Sequence, residues 1–219
     1  MSRELTTWCD EEGNYHYEKV RVISRHLTDV TTTTADVEID TPTKFPRPYI
    51  FPTVTKVKLV NLETVKPQRA GVIMYTVHQG LTYFGLGIDT RSHDLTDFGG
   101  TVMYQLDQDV INGALREFQE ETLEIFEPLT SVQIAECPVV YDLRNLIIFV
   151  HLNVSPNRVS QRFLKEHREI VLRDSYPPEI CGITWLTWAE FKEAIAQKGI
   201  LFSRIQKFLS KARDLNRML

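Results

Sequence analysis

The spacing of apolar positions changes several times along the chain, and each change marks an element. Residues 72–77 and 83–88 are runs of mostly apolar side chains separated by Gln79-Gly80, which predicts two strands joined by a turn. Val110, Ile111, Ala114, Leu115 and Phe118 recur at intervals of a helix that buries one side. Further strands are expected near residues 132–135, over 139–141, and over the strongly apolar 146–154. The segment 156–173 is polar and charge-rich, and is expected to be helical in part. Thr187 and Glu190 have capping-box spacing and open a helix to about residue 197. Ser203 and Gln206 repeat that spacing ahead of a terminal helix over 204–216. Strands interleaved with helices predict an α/β (α+β) domain over residues 67–219.

Residues 1–66 read differently. Thr31 to Thr34 and the alternation over 35–40 favour pleated structure. Four prolines fall between Pro42 and Pro52, with Phe45, Tyr49, Ile50 and Phe51 among them. Such a segment is extended and lacks regular amide donors, so it is expected to lie across a neighbouring surface. Residues 53–62 alternate again. The expectation is a β-rich N-terminal extension without internal repeats.

The chemistry concentrates on the helix that follows Gly99-Gly100. Glu117, Glu120, Glu121 and Glu124 are spaced by three and four residues, near one helical face. Like charges so placed repel by a few tenths of a kcal/mol per pair. A shared cation removes that cost, and carboxylate oxygens suit Mg2+ or Mn2+ alongside substrate phosphates. A solvated acidic face is the ordinary reading of such a run. The double glycine and the order Arg116-Glu117-Phe118-Gln119-Glu120-Glu121 favour the chemical one.

This segment resembles the signature of the Nudix hydrolases: a glycine, five residues, Glu, seven residues, then Arg-Glu-apolar-x-Glu-Glu-x-Gly-apolar. Arg116 to Glu121 match without a gap, and Asp97-Phe98-Gly99-Gly100 is similar to the opening of the family's loop. Ile183 to Leu186 and the helix after them are similar to the family's last strand and helix. In layout the resemblance spans roughly residues 69–215, with specific motif content in about 30 of them. The chain departs from the pattern in three places. Gln108 replaces the first signature Glu, between Asp107 and Asp109; the loop after Gly100 is two residues longer; and Leu123-Glu124 stand where Gly and an apolar residue belong. Glycine there ends the helix in a left-handed conformation that leucine resists, so the helix is expected to continue towards Phe126 before Pro128 stops it.

The resemblance implies a mixed sheet flanked by helices, and a metal-dependent pyrophosphohydrolase cleaving a nucleoside diphosphate linked to another group. Its Mg2+ or Mn2+ would be held by Glu117, Glu120 and Glu121, with the Gly100 backbone beside it. Glu120 and Glu121 are the most central, and Arg116 pairs with Glu120 four residues on. The base is a carboxylate of this helix or Glu179, ahead of the last strand. Asp107 is the expected substitute for the missing signature acid, while Asp109 caps the helix. The substrate is a nucleotide or polyphosphate, with capped RNA among the options because long N-terminal extensions also occur in mRNA-decapping members. The rival is a Nudix-like module that binds a nucleotide or protein without turnover, favoured by Gln108 and Leu123.

Other features change the picture less. His93-Asp94 suit either a substrate contact or a surface turn, and His78, His151 and His167 have no partner spacing. Trp185, Trp188 and Phe84 suit a core, although Tyr83 or Phe84 can stack on a base. Arg158, Arg162, Lys165, Arg168 and Arg173, and also Lys207, Lys211, Arg213 and Arg217, suit solvated faces or a phosphate backbone. A net charge of −4 argues against coating nucleic acid through bulk charge. Hydrophobic content of 42% suits a globular chain, and no apolar run can span a bilayer. Cys9, Cys137 and Cys181 lack metal-ligand spacing, and the first ten residues lack a secretory pattern. An intracellular, reducing compartment without membrane contact is therefore expected.

Overall fold

The computed structural model describes residues 3–9, 15–21, 51–174 and 177–218. The strands expected over 31–40 and most of the proline segment lie outside them. In chain order the elements are a hairpin of β1 (Arg3–Cys9) and β2 (Tyr15–Arg21), then β3 (Thr53–Lys56) and a tight 3-10 turn (Val57–Leu59). Next come β4 (Arg69–His78), β5 (Leu81–Asp89), β6 (Leu95–Thr96), β7 (Phe98–Thr101), α1 (Tyr104–Asp107) and α2 (Val110–Glu121). They are followed by β8 (Pro138–Tyr141), β9 (Asn145–His151), α3 (Pro156–Arg173) and β10 (Ile180–Thr187), then α4 (Trp188–Ala196), α5 (Ser203–Leu209) and α6 (Leu215–Met218).

The main sheet runs β10-β5-β4-β9-β8-β3, mixed because β4 and β9 are parallel while the other neighbours are antiparallel. Helices cover both faces. Ala70, Val72, Met74, Leu146 and Ile148 pack with Val110, Ala114 and Phe118 of α2 and with Phe163 of α3. The alternate residues Ile73, Ile147 and Phe149 pack with Phe191 of α4 and Ile205 and Phe208 of α5. Burial on both faces is why β4 and β9 read as continuous apolar runs. The sheet also reaches into the N-terminal extension, since β3 pairs with β8 from Thr53↔Tyr141 to Lys56↔Pro138.

One irregularity positions the site. On the same edge, β4 pairs first with β7, through Arg69↔Thr101 to Val72↔Phe98, and then with β5 from Met74 onward. The chain crosses this fork at Asp97, between β6 on β5 and β7 on β4. Gly99 lies in register with Gly71. A Cβ on Gly99 would run into the Gly71 Cα and the Ala70 carbonyl, so only glycine permits this approach.

Several local signals hold. Asp109 caps α2, accepting from the amides of Ile111 and Asn112, and Thr187 and Glu190 form the expected capping box. The segment 156–173 is helical throughout, with Pro156 in its first turn and Val159 and Phe163 turned inward.

Three expectations are corrected. Residues 131–136 form turns rather than a strand: Thr130 donates through its amide and hydroxyl to Gln133 Oε1, the Ile134 amide reaches the Thr130 carbonyl, and Val132 stays exposed. Ser203 does not cap a long terminal helix. Phe202 holds that place, its amide donating to Leu95, while Gln206 donates to the Ile195 carbonyl; α5 ends at Leu209. Finally, α2 ends at Glu121 rather than running on, because Leu123 and Glu124 both adopt left-handed φ, 55° and 56°. The reversal buries Ile125 and stacks Phe126 on Phe118 at 5.4 Å. Each left-handed residue costs about 1–2 kcal/mol, and burying a large apolar side chain returns about 1.5–3 kcal/mol, so packing wins.

Candidate active site

The site is built where α2 lies against β7. The Gly99 amide donates to Glu121 Oε2 at 2.5 Å. Glu117, one turn earlier, sits against Gly100, where any Cβ would strike its carboxylate. Those two acids thus converge on the Gly99-Gly100 backbone. Glu120 faces out, its side chain 58% exposed against 14% for Glu117. Glu124 lies beyond the helix and is exposed. The four acids of the sequence pattern therefore divide into an inward pair, one outward carboxylate and one bystander.

Arg116 ties the pattern together. It donates to both Asp107 oxygens at 2.7 and 3.1 Å, to the Thr101 carbonyl at 3.0 Å and, as expected, to Glu120 at 3.0 Å. It also pairs with Glu117 at 2.9 Å. The Asp107 hydrogen bonds, followed by the Glu117 and Glu120 charges, raise its pKa. Asp107 is a correction to the sequence reading. It is buried, accepts from the Met103 amide at 2.7 Å, and its carboxyl is held below the usual range chiefly by Arg116. Its carboxylate is engaged by Arg116 and the Met103 amide, so as placed it orients the acids through that arginine rather than standing in for the missing signature Glu.

Below the acids lies a pair that no local pattern announces. Arg69, at the start of β4, donates to both oxygens of fully buried Asp97 at 2.7 Å and to the Gly99 carbonyl at 2.7 Å. Burial opposes the Arg69 charge, but Asp97 more than compensates and its pKa rises. Glu121 is pushed up to about 9, first by burial and then by the Asp97 charge, with the Gly99 amide and Arg69 only partly offsetting them. Glu117 is also raised, mainly by burial.

A hard divalent cation suits this donor chemistry, because two crowded carboxylates of raised pKa gain most from added positive charge. Among the described residues, however, no three His, Cys, Asp or Glu side chains stand together as a ready-made cage. Glu117 and Glu121 are the pair available to such an ion. Glu120 joins them only by turning from Arg116.

The remaining candidates scatter. Glu179 is exposed at the start of β10, its carbonyl accepting from the Thr90 amide. That strand lies across β5 from β4, whereas α2 packs on β4 and β7. His93 occupies a surface turn organised by Asp89, which accepts from the amides of Arg91 and Ser92. Phe84 stacks on Phe191 at 4.6 Å in the core, and Trp185 donates to Ser160. Arg158, Arg162, Lys165 and Arg168 lie on the exposed side of α3 or near it.

Beside Gly100 a cleft of about 590 Å3 opens, lined by Gln68, Arg69, Gly100, Tyr104, Arg144 and Arg204 with their neighbours. The sequence reading assigned no role to Arg69, Arg144 or Arg204, and named Asp97 only as part of the segment that opens the glycine loop. Arg69 shows only as a charge set directly against a run of apolar residues and glycine; Arg144 and Arg204 carry no local signal.

No family model matches the chain, and no curated protein matches it. Among solved structures it is similar to a Caenorhabditis elegans Ap4A hydrolase, at 18% identity and a TM-score of 0.37, over 65% of this chain and 92% of that one. It is also similar to the Nudix domain of Shewanella oneidensis NrtR, solved with ADP ribose, at 12% identity and a TM-score of 0.40, over 72% of this chain and 94% of that one.

Proposed function

We propose that the protein is a Nudix-type, Mg2+- or Mn2+-dependent hydrolase that cleaves the phosphoanhydride of a nucleoside diphosphate linked to another moiety. The observation that carries this reading is the convergence of Glu117 and Glu121 on the Gly99-Gly100 backbone at the edge of an arginine-lined cleft. When bound, the ion supplies charge for the phosphate oxygens and lowers the pKa of a coordinated water. Glu117, Glu120 and Glu121 would hold it. Gly100, lacking a side chain, leaves the backbone open to the phosphate. Arg116 fixes the rotamers of Glu117 and Glu120, and Asp107 fixes Arg116. Glu120 is our choice of base, because its carboxylate faces solvent on the acidic side of α2; Glu179 is the alternative. The substrate is a nucleotide, a dinucleotide or capped RNA.

A binding module without turnover is the second reading. Its support is that Arg116 already occupies Glu117 and Glu120, while position 108 carries a neutral Gln. Release of the cleaved nucleotide products, separated chromatographically, by purified protein over a panel of nucleoside polyphosphates, dinucleotides and capped RNA, with and without Mg2+, separates the two. Metal-dependent release supports the hydrolase; nucleotide binding without release from any of them overturns it. Among the described residues no helix is long and apolar enough to cross a membrane.

A further inference from the structure

The cleft beside Gly100 has a lining whose charge the acid pair does not explain. Its nine lining residues include three arginines and no acid. Arg69 comes from the start of β4, Arg144 from the turn between β8 and β9, and Arg204 from α5, so segments distant in sequence bring their charge to one hollow. Arg69 is neutralised by Asp97, yet its buried Nε has no hydrogen-bond partner. Among the described residues, neither Arg144 nor Arg204 has a carboxylate within ion-pair distance. Arg204 rests over the Phe202 ring at 5.7 Å, and partial desolvation together with the Arg69 charge pushes its pKa down although the side chain remains largely exposed. Packing alone does not require guanidinium groups to gather around open space, and their mutual repulsion opposes it. An anion in the hollow reverses the balance.

We propose that this cleft binds a chain of linked phosphates, gripped by Arg144 and Arg204, as the part of the substrate that extends beyond the cleaved linkage. The class of ligand follows from the chemistry of the walls. Guanidinium forks match phosphate oxygens in pairs, and two forks from separate segments suit more than one phosphate. The volume is that of a small-molecule site. Gly100 belongs both to this cleft and to the wall that Glu117 touches, so a phosphate chain entering past the arginines reaches the acid pair. The placement of the cleaved linkage rests on the hydrolase reading; the grip on phosphate does not.

Calorimetric titration in EDTA keeps the two apart. Inorganic tripolyphosphate should bind the full chain without divalent ions, more tightly than orthophosphate, and less tightly as salt rises. Arg144→Gln and Arg204→Gln should each weaken it by about tenfold or more, since each removes a charge-assisted pair of hydrogen bonds. Arg144→Lys and Arg204→Lys should keep part of the affinity, because a point charge remains while the fork is lost. Both arginines are exposed, so melting temperatures should stay at the wild-type value, which separates lost binding from lost fold. The proposal is overturned if wild-type protein ignores tripolyphosphate, if the Gln variants bind it as wild type does, or if a 5′-hydroxyl oligonucleotide binds equally well. Tripolyphosphate binding in a protein inert towards every substrate would keep the cleft and reject the hydrolase. Turnover with unchanged KM in both Gln variants would do the reverse.

Discussion

Asp107 and Asp109 stand two positions apart and serve different ends. Asp109 satisfies two free amides at the start of α2, so Asp109→Ala should cost ~1 kcal/mol. Asp107 is buried beneath Arg116, and Asp107→Asn leaves that guanidinium without its main counter-charge. A loss of about 2–3 kcal/mol is expected, discounted for the partial exposure of Arg116. Urea melts of the two variants check the order; a smaller loss for Asp107→Asn than for Asp109→Ala would show that Asp107 does not anchor Arg116. Glu121 gives a pH signature. Its carboxyl rises from an ordinary 4.5 to about 9 on folding. A raised folded-state pKa means its contribution is fully present below pH 4.5 and is lost as pH climbs through about 9. In metal-free buffer wild-type stability should therefore fall across that window by an amount on the order of a few kcal/mol. Glu121→Gln keeps an acceptor for the Gly99 amide and should flatten the fall. Parallel stability profiles for the two proteins would show that Glu121 is already charged at neutral pH.

At the scale of elements, what was legible depended on range. The Asp109 cap, the Thr187-Glu190 box, the buried face of α2 and the Arg116–Glu120 pair are contacts within four residues, so spacing alone reveals them. The Gly99-Gly100 approach was half legible: two glycines announced a close contact but not that Gly71 and Glu117 make it. Residues 203–209 obeyed a partner that spacing cannot show, the Leu95 backbone, whereas 131–136 turn through the local Thr130–Gln133 bonds, which the apolar pattern alone does not read. Arg69 and Asp97 lie 28 positions apart and meet only because β4 pairs with β7. The end of α2 shows the same contest. Leu123 packs against the core, whereas Glu124 is exposed in an equally left-handed conformation. Glu124→Gly relieves about 1–2 kcal/mol of backbone strain and costs about 0.5–1 kcal/mol in added freedom of the unfolded chain. A net gain of roughly half to one kcal/mol is expected in thermal or urea unfolding. Leu123→Gly relieves the same strain but forfeits packing, and should not gain. Equal effects at the two positions would refute this account of the helix end.

Across the whole molecule, the sheet fork, α2 and the arginine cleft bring opposite charges to adjoining walls. Glu117 lies against Gly100, Glu121 accepts from the Gly99 amide, and three arginines line the cleft to which Gly100 belongs. Under the proposed function that polarity assigns separate tasks, cation binding at the acids and phosphate binding at the arginines. The cation side makes the sharper prediction. Millimolar Mg2+ or Mn2+ should raise the melting temperature by mass action, the stabilisation at 100 times the dissociation constant being about 2.7 kcal/mol. The double variant Glu120→Gln/Glu121→Gln should abolish the shift while melting cooperatively. Glu120→Gln alone separates binding from chemistry. It removes only the outward carboxylate, so the inward pair should retain part of the thermal shift while kcat falls ~10²–10⁴-fold if Glu120 is the base. Glu179→Gln, two strands from β4, should leave kcat near wild type on that assignment. A collapse of kcat in Glu179→Gln with Glu120→Gln still active would move the base to the β10 loop and require that loop to close towards α2 during turnover. A full metal response in the double variant would remove the cation from α2 altogether, leaving the acid pair as part of the buried ion network around Arg69 and Asp97.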